Sequence, residues 1–276
     1  MKKILISLAA CVIIVAILKT LTFFVFEQKE IIYSLISTFL FIVGILFLKT
    51  MSGIKFNKFL KIYPIKFEDT GIIVWMSIAL ITGGFILNIA TIAVCDILDI
   101  TIVSTSTLSN VDTKSFILSV ITMTVIPAVM EELFFRGALM TFLEDKGKIF
   151  SLVITSLFFA LVHGSLNFFV TTFFAGIILS LICLTTNSIY TSMIAHFLNN
   201  IMSYFIFLYS EKLSEVGFDN VIVYIFILIF LISIYNALNS FGNKMKKRLG
   251  EKSGNEKIVG DIKSIWAEKG KAKQEK

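Results

Sequence analysis

Glu131 and Glu132 stand side by side, with Arg136 four residues on, inside a strongly apolar stretch of this 276-residue chain. Charge in such a setting is expensive and needs a partner or a task. The only two histidines, His163 and His196, each lie in an apolar stretch of their own, and Asn200 follows His196 by four residues. Carboxylate and imidazole can take a proton from water, and imidazole and amide can steady a developing oxyanion. Glu132 and Arg136 share one helical face at their spacing and can pair, while Glu131, about 100° around the helix, is left to point into a cavity. That spacing assigns structural support to Glu132 and Arg136 and chemistry to Glu131. His196 and Asn200 share a face in the same way, and Phe159 sits one turn behind His163, where it joins Glu132 and Arg136 as structural support.

The elements that must position these residues are membrane helices. The chain is 57% hydrophobic, with 28 Phe, and its 16% charged residues fall well below the roughly 25% of soluble domains. Apolar runs of about 20 residues, the length that crosses a bilayer, recur along most of the chain. The expected fold is all-α, a polytopic membrane protein of about eight transmembrane helices around a buried active-site cavity. The spans are expected at 4–26, 31–48, 71–96, 116–143, 149–163, 168–186, 189–209 and 221–238, with seven or nine as the alternative counts. The fifth is short and ends at His163, so that helix stops inside the membrane. Pro127 cannot satisfy the carbonyl of Met123, which predicts a kink just before the glutamates. At about 1.5 Å per residue, Glu131 lies roughly 15–18 Å from the cytoplasmic end of its span, His163 roughly 21 Å and His196 roughly 11 Å. All three fall in the central part of a core about 30 Å thick and can converge.

Eight spans with both termini cytoplasmic put Lys2, Lys3, Lys49, Lys55, Lys58, Lys61, Lys66, Lys146, Lys148 and the basic tail on the inner face. Only Lys29, Lys114 and Lys212 remain outside, as the positive-inside rule requires. The division is then 1–240 as the membrane domain, with its core at about 115–210, and 241–276 as a basic cytoplasmic tail, disordered or an amphipathic helix. Segment 49–70 interleaves lysines with Phe56, Phe59, Tyr63 and Phe67, which suits a loop lying on anionic lipid, as does the tail. The net charge of +6 therefore speaks of orientation and lipid contact, not nucleic acid. Leu8-Ala9-Ala10-Cys11 resembles a lipoprotein cleavage box, but the run before it is too short for a signal core and continues beyond it, so a retained signal-anchor is expected. Cys11, Cys95 and Cys183 show no paired metal-ligand spacing and read as small core residues.

Two schemes fit the polar set. In one, Glu131, His163 and His196 hold a divalent metal, zinc by preference, which activates a water. In the other, Glu131 and His163 deprotonate the water directly while His196 and Asn200 donate to the oxyanion. Either attacks a carbonyl, hence peptide hydrolysis. No HExxH is present, so the usual zinc-protease signature is absent.

The three motifs, EExxxR at Glu131–Arg136, FxxxH at Phe159–His163 and HxxxN at His196–Asn200, resemble in order and placement those of the CPBP (CAAX protease and bacteriocin-processing, or Abi) intramembrane metalloproteases. The resemblance covers about 125–200. It implies an eight-helix fold with the site open to the cytoplasmic side, Glu131 as general base assisted by His163, and His196 with Asn200 at the oxyanion, or His196 as a third metal ligand. A metal-free glutamate mechanism is its rival. The Ile, Phe, Lys and Asn content suggests an AT-rich bacterium and thus a plasma-membrane protein. Peptide or bacteriocin processing, self-immunity or cleavage of a membrane-anchored protein then fits better than a prenylated substrate. A non-enzymatic scaffold or immunity factor and a proton-coupled transporter are the other classes. No internal repeat supports the transporter.

Overall fold

Long apolar runs almost free of proline leave the backbone no water to bond with, so they close their hydrogen bonds internally as helices. The computed structural model describes residues 30–99, 113–163, 168–209 and 220–272, together with single positions at 9, 13 and 17. Among these residues all regular structure is helical and there is no strand. The helices are α1 Glu30–Ser52, α2 Phe56–Phe59, α3 Thr70–Ile97, α4 Thr113–Val120, α5 Ile126–Glu132, α6 Met140–Leu143, α7 Lys148–Val162, α8 Phe169–Thr186, α9 Ile189–Leu208 and α10 Asn220–Ala272. From α4 to α6 the chain is one rod, wound as π-helix at Ile121–Val125 and again at Leu133–Leu139.

Among the described residues, five stretches are long and apolar enough to cross a membrane: Leu35–Ser52, Phe67–Ile97, Phe116–Lys146, Phe169–Thr186 and Val221–Lys247. They coincide with five of the eight expected spans. The span expected at 149–163 is α7, an apolar helix of 15 residues. The span expected at 189–209 is α9, less apolar than the five because His196, Asn199 and Asn200 interrupt it. The span expected at 4–26, with Cys11, lies outside the described residues apart from the three single positions.

An apolar core is present, but the outer surface is apolar too. Leu35, Phe39, Val221, Tyr224, Leu228 and Leu231 are exposed, whereas Ser77, Thr124, Thr155, Ser192, Glu132 and Arg136 are buried. Lipid chains favour that order and water does not. Many of the buried hydroxyls bond back to carbonyls one turn earlier, as Ser77 does to Ile73 at 2.7 Å and Thr155 to Ser151 at 2.7 Å, which lowers their cost in the dry interior, while those of Thr141 and Ser180 have no partner. Cys95 and Cys183 are free, buried thiols.

The connection between α1 and α3 departs from a loop lying wholly on the membrane surface. Lys55, Lys58 and Lys66 are exposed, but Phe59, Leu60 and Lys61 are buried in the bundle. Lys61 pairs with Glu144 at 2.5 Å, its carbonyl accepts the Ile189 amide at 3.0 Å, and the Ser188 hydroxyl bonds the Tyr63 carbonyl at 2.6 Å. α10 continues without a break past residue 240. There Lys244 is buried, ion-paired with Asp69 and bonded to the Thr185 carbonyl at 2.7 Å. These ties bring residues 53–69, 144, 185–189 and 244 to one end of the bundle, and the site lies further along the same helices.

Candidate active site

Pro127 opens α5 without an amide hydrogen. The turn before it, Ile121–Val125, is π-wound, which takes up the register that a proline inside a helix disturbs. Glu131 and Glu132 are the last two residues of α5, and the second π turn begins directly after them. Wider turns at both ends of a seven-residue helix aim its two carboxylates independently of the straight rod.

Glu132 is fully buried and accepts from Arg136 Nη1 at 2.6 Å. The same oxygen accepts from His196 Nδ1 at 3.0 Å, so Glu132 ties α5 to α9. Arg136 is also fully buried, donates from Nη2 to the Gly176 carbonyl on α8 at 3.2 Å, and lies 4.3 Å from the centre of the Phe159 ring. One guanidinium thus joins three helices.

Phe159 is the hub on α7. Its ring stands 4.5 Å from the His163 ring and 5.6 Å, edge-on, from that of His196. Its carbonyl lies 2.7 Å from His163 Nδ1. A carbonyl can only accept, so Nδ1 of His163 carries the proton, and the same argument against the Glu132 carboxylate protonates Nδ1 of His196. In the neutral rings both Nε2 atoms then present lone pairs.

Both point the same way. His163 Nε2 is 3.8 Å and His196 Nε2 is 3.9 Å from Glu131 Oε2, an oxygen that is buried and has no hydrogen-bond partner. These separations exceed a direct hydrogen bond and suit a small group held between the three atoms. Two imidazole nitrogens and a carboxylate oxygen are also the donor types zinc takes, each at about 2.0–2.2 Å. Such ligands sit closer together than these do, and among the described residues no three His, Cys, Asp or Glu side chains are near enough to hold a metal as they stand.

The structure therefore brings together Glu131, Glu132, Arg136, Phe159, His163 and His196. Asn200, one turn beyond His196 on α9 and half-buried, makes no hydrogen bond to any of them. Gly176 is the participant that sequence reasoning missed. A Cβ there would stand 2.9 Å from Ser156 Cα, so α7 and α8 can meet, and Arg136 can reach the α8 backbone, only because this position is glycine. The signal was present in Gly176-xxx-Ser180, the small-residue spacing of close helix contacts.

Residues 113–202 match the family model described as "Type II CAAX prenyl endopeptidase Rce1-like". That interval holds all seven residues, from Glu131 to Asn200. No curated protein and no solved structure matches the chain.

Proposed function

We propose, from the match of residues 113–202 to the Rce1-like CAAX endopeptidase model, that the chain is a CPBP-family intramembrane endopeptidase whose water is activated by Glu131. One observation carries the reading: His163 Nε2 and His196 Nε2 converge on Glu131 Oε2 from two other helices. A water among the three atoms gives a proton to Glu131 while its oxygen attacks the scissile carbonyl. His163 shares that proton, and the departing amine receives it as the C–N bond breaks, leaving acid and amine. Asn200 can donate to the oxyanion from its amide without a change of protonation. His196 can do so from Nε2 only when both ring nitrogens carry protons.

Zinc is the second reading. Glu131, His163 and His196 would hold it after small side-chain movements, and it would supply Lewis-acid polarisation of the water. Metal analysis of the purified protein, beside a His163→Ala/His196→Ala double variant, separates the two: stoichiometric metal lost in the double variant rejects the metal-free scheme.

The reading extends to eight spans with both termini cytoplasmic, the first over 4–26 and two more over α7 and α9. The exposed Lys55, Lys58 and Lys66 support a basic cytoplasmic face at this end of the bundle, with anionic lipid against them. Substrates are membrane-anchored proteins or peptides, with bacteriocin processing or self-immunity as the physiological setting in a bacterial plasma membrane. The test is turnover of internally quenched peptides, with and without a prenylated cysteine, in detergent micelles. Glu131→Gln keeps the shape and removes the base, and a fall of about 10²–10⁴-fold in kcat is expected. Full turnover in well-folded Glu131→Gln rejects the mechanism, and a wild-type immunity phenotype in that variant favours a non-enzymatic scaffold.

A further inference from the structure

Beyond His196, α9 has one buried side chain, Tyr204. It is 5% exposed, its hydroxyl has no hydrogen-bond partner, and its ring packs on Phe116 of α4 with centroids 5.9 Å apart. A phenol hydroxyl left unpaired in a dry bundle costs stability that a phenylalanine at the same place would not. Orphaned buried polar groups are few in folded proteins, and each calls for an explanation.

Position supplies one. His196, Asn200 and Tyr204 follow one another at four-residue intervals on α9. Helical side chains lean back towards the helix N-terminus, so the tyrosine is directed towards the turn of Asn200. Phe116 belongs to the rod that carries Glu131, which places the ring pair between the two helices that supply Glu131 and His196.

A peptide entering such a site must be extended to expose its carbonyl, and its main-chain N–H and C=O groups then need partners. Proteases with a strand beside the site supply them from a sheet edge. The described residues contain no strand, so what they offer an extended peptide is polar side chains. The eight residues from His196 to Tyr204 rise about 12 Å, less the backward lean of the tyrosine. That is on the order of three residues of extended peptide.

We infer that the Tyr204 hydroxyl binds the main chain of the substrate, on the order of three residues from the bond that is cut, and sets substrate affinity rather than the chemical step. The inference rests on the protease reading above. Its test is Tyr204→Phe, which keeps the ring against Phe116 and deletes only the unpaired hydroxyl, assayed on whichever quenched peptide the wild type cuts. KM is expected to rise about 5- to 30-fold, the worth of one hydrogen bond, with kcat within about twofold. The midpoint of thermal unfolding should be unchanged or higher. Peptides trimmed from each end provide the second measurement. On one too short to reach Tyr204, wild type and Tyr204→Phe should have equal kcat/KM.

An unchanged KM on the long peptide overturns the inference, as does a kcat loss that tracks a lowered unfolding midpoint. A penalty that persists on every trimmed peptide also overturns it. Glu131→Gln keeps the two failures apart. If it is inactive while Tyr204→Phe is unaltered, only this inference falls. If Glu131→Gln turns over normally, or the wild type cuts neither peptide, the protease reading falls and takes this one with it.

Discussion

His196 meets Glu132 through Nδ1 and faces Glu131 through Nε2, so two adjacent carboxylates act on opposite edges of one ring. The pairing of Glu132 with Arg136 follows from their spacing alone. The link from Glu132 to His196 does not, because it joins residues 64 apart in sequence. Glu132 therefore does more than hold its own helix: it fixes which nitrogen of His196 is free. Removing either member of the Glu132–Arg136 pair strands a buried charge, and Glu132→Leu or Arg136→Met should each cost about 3–5 kcal/mol. The double variant should recover much of that stability, measured by thermal unfolding in detergent. Its turnover should still lie about 10- to 100-fold below wild type, because His196 has lost the acceptor that orients it. Recovery of both would show that Glu132 has no positioning role.

Helices bring these residues together by being irregular or unusually close. The proline predicts a disturbance before the glutamates, and a π turn stands there. The second π turn, Leu133–Leu139, has no such marker in the sequence. It is packed on every side, with Phe134 to Leu139 all buried and Gly137 against Leu60, where a Cβ would stand 3.0 Å from Leu60 Cδ2. The approach of α7 to α8 depends on Gly176 in the same sense. Gly176→Ala must push α8 away from the Ser156 backbone and lengthen the bond from Arg136 to the Gly176 carbonyl. A loss of about 1–3 kcal/mol is expected from the thermal midpoint. Adding Ser156→Gly relieves the clash with the serine side chain but leaves the clash with its backbone, so it should restore only part of that loss. Complete rescue would mean that the side chain alone sets the spacing.

Over the described residues, large apolar side chains exposed along the helices and charge held between them identify the solvent as lipid, and that much is readable from composition. The connection after α1 and the start of the tail were not readable. Lys61 and Lys244 look like two more surface lysines in basic segments, yet each is buried against an acid far away in sequence, Glu144 and Asp69. The Lys244–Asp69 pair binds the last helix to α3, with a further bond to α8 through Thr185. Lys244→Met should lower stability by about 3–5 kcal/mol, and Lys244→Met/Asp69→Leu should return most of it, read from thermal unfolding of the full chain. Removal of the exposed charge at Lys146, which pairs with its neighbour Asp145, should change the same midpoint by well under about 1 kcal/mol.

The sequence by itself determined that this is a helical membrane protein and that Glu131, Glu132, Arg136, His163 and His196 need a common reason. Hydropathy and helical periodicity are local properties, and buried charge is costly wherever the helix lies. Tertiary structure alone decided that both histidines offer Nε2 to Glu131, that Glu132 ties to His196, and that Gly176 lets the helices around them meet. Those facts depend on how four separate helices cross and where a π turn rotates a face, which no single segment specifies.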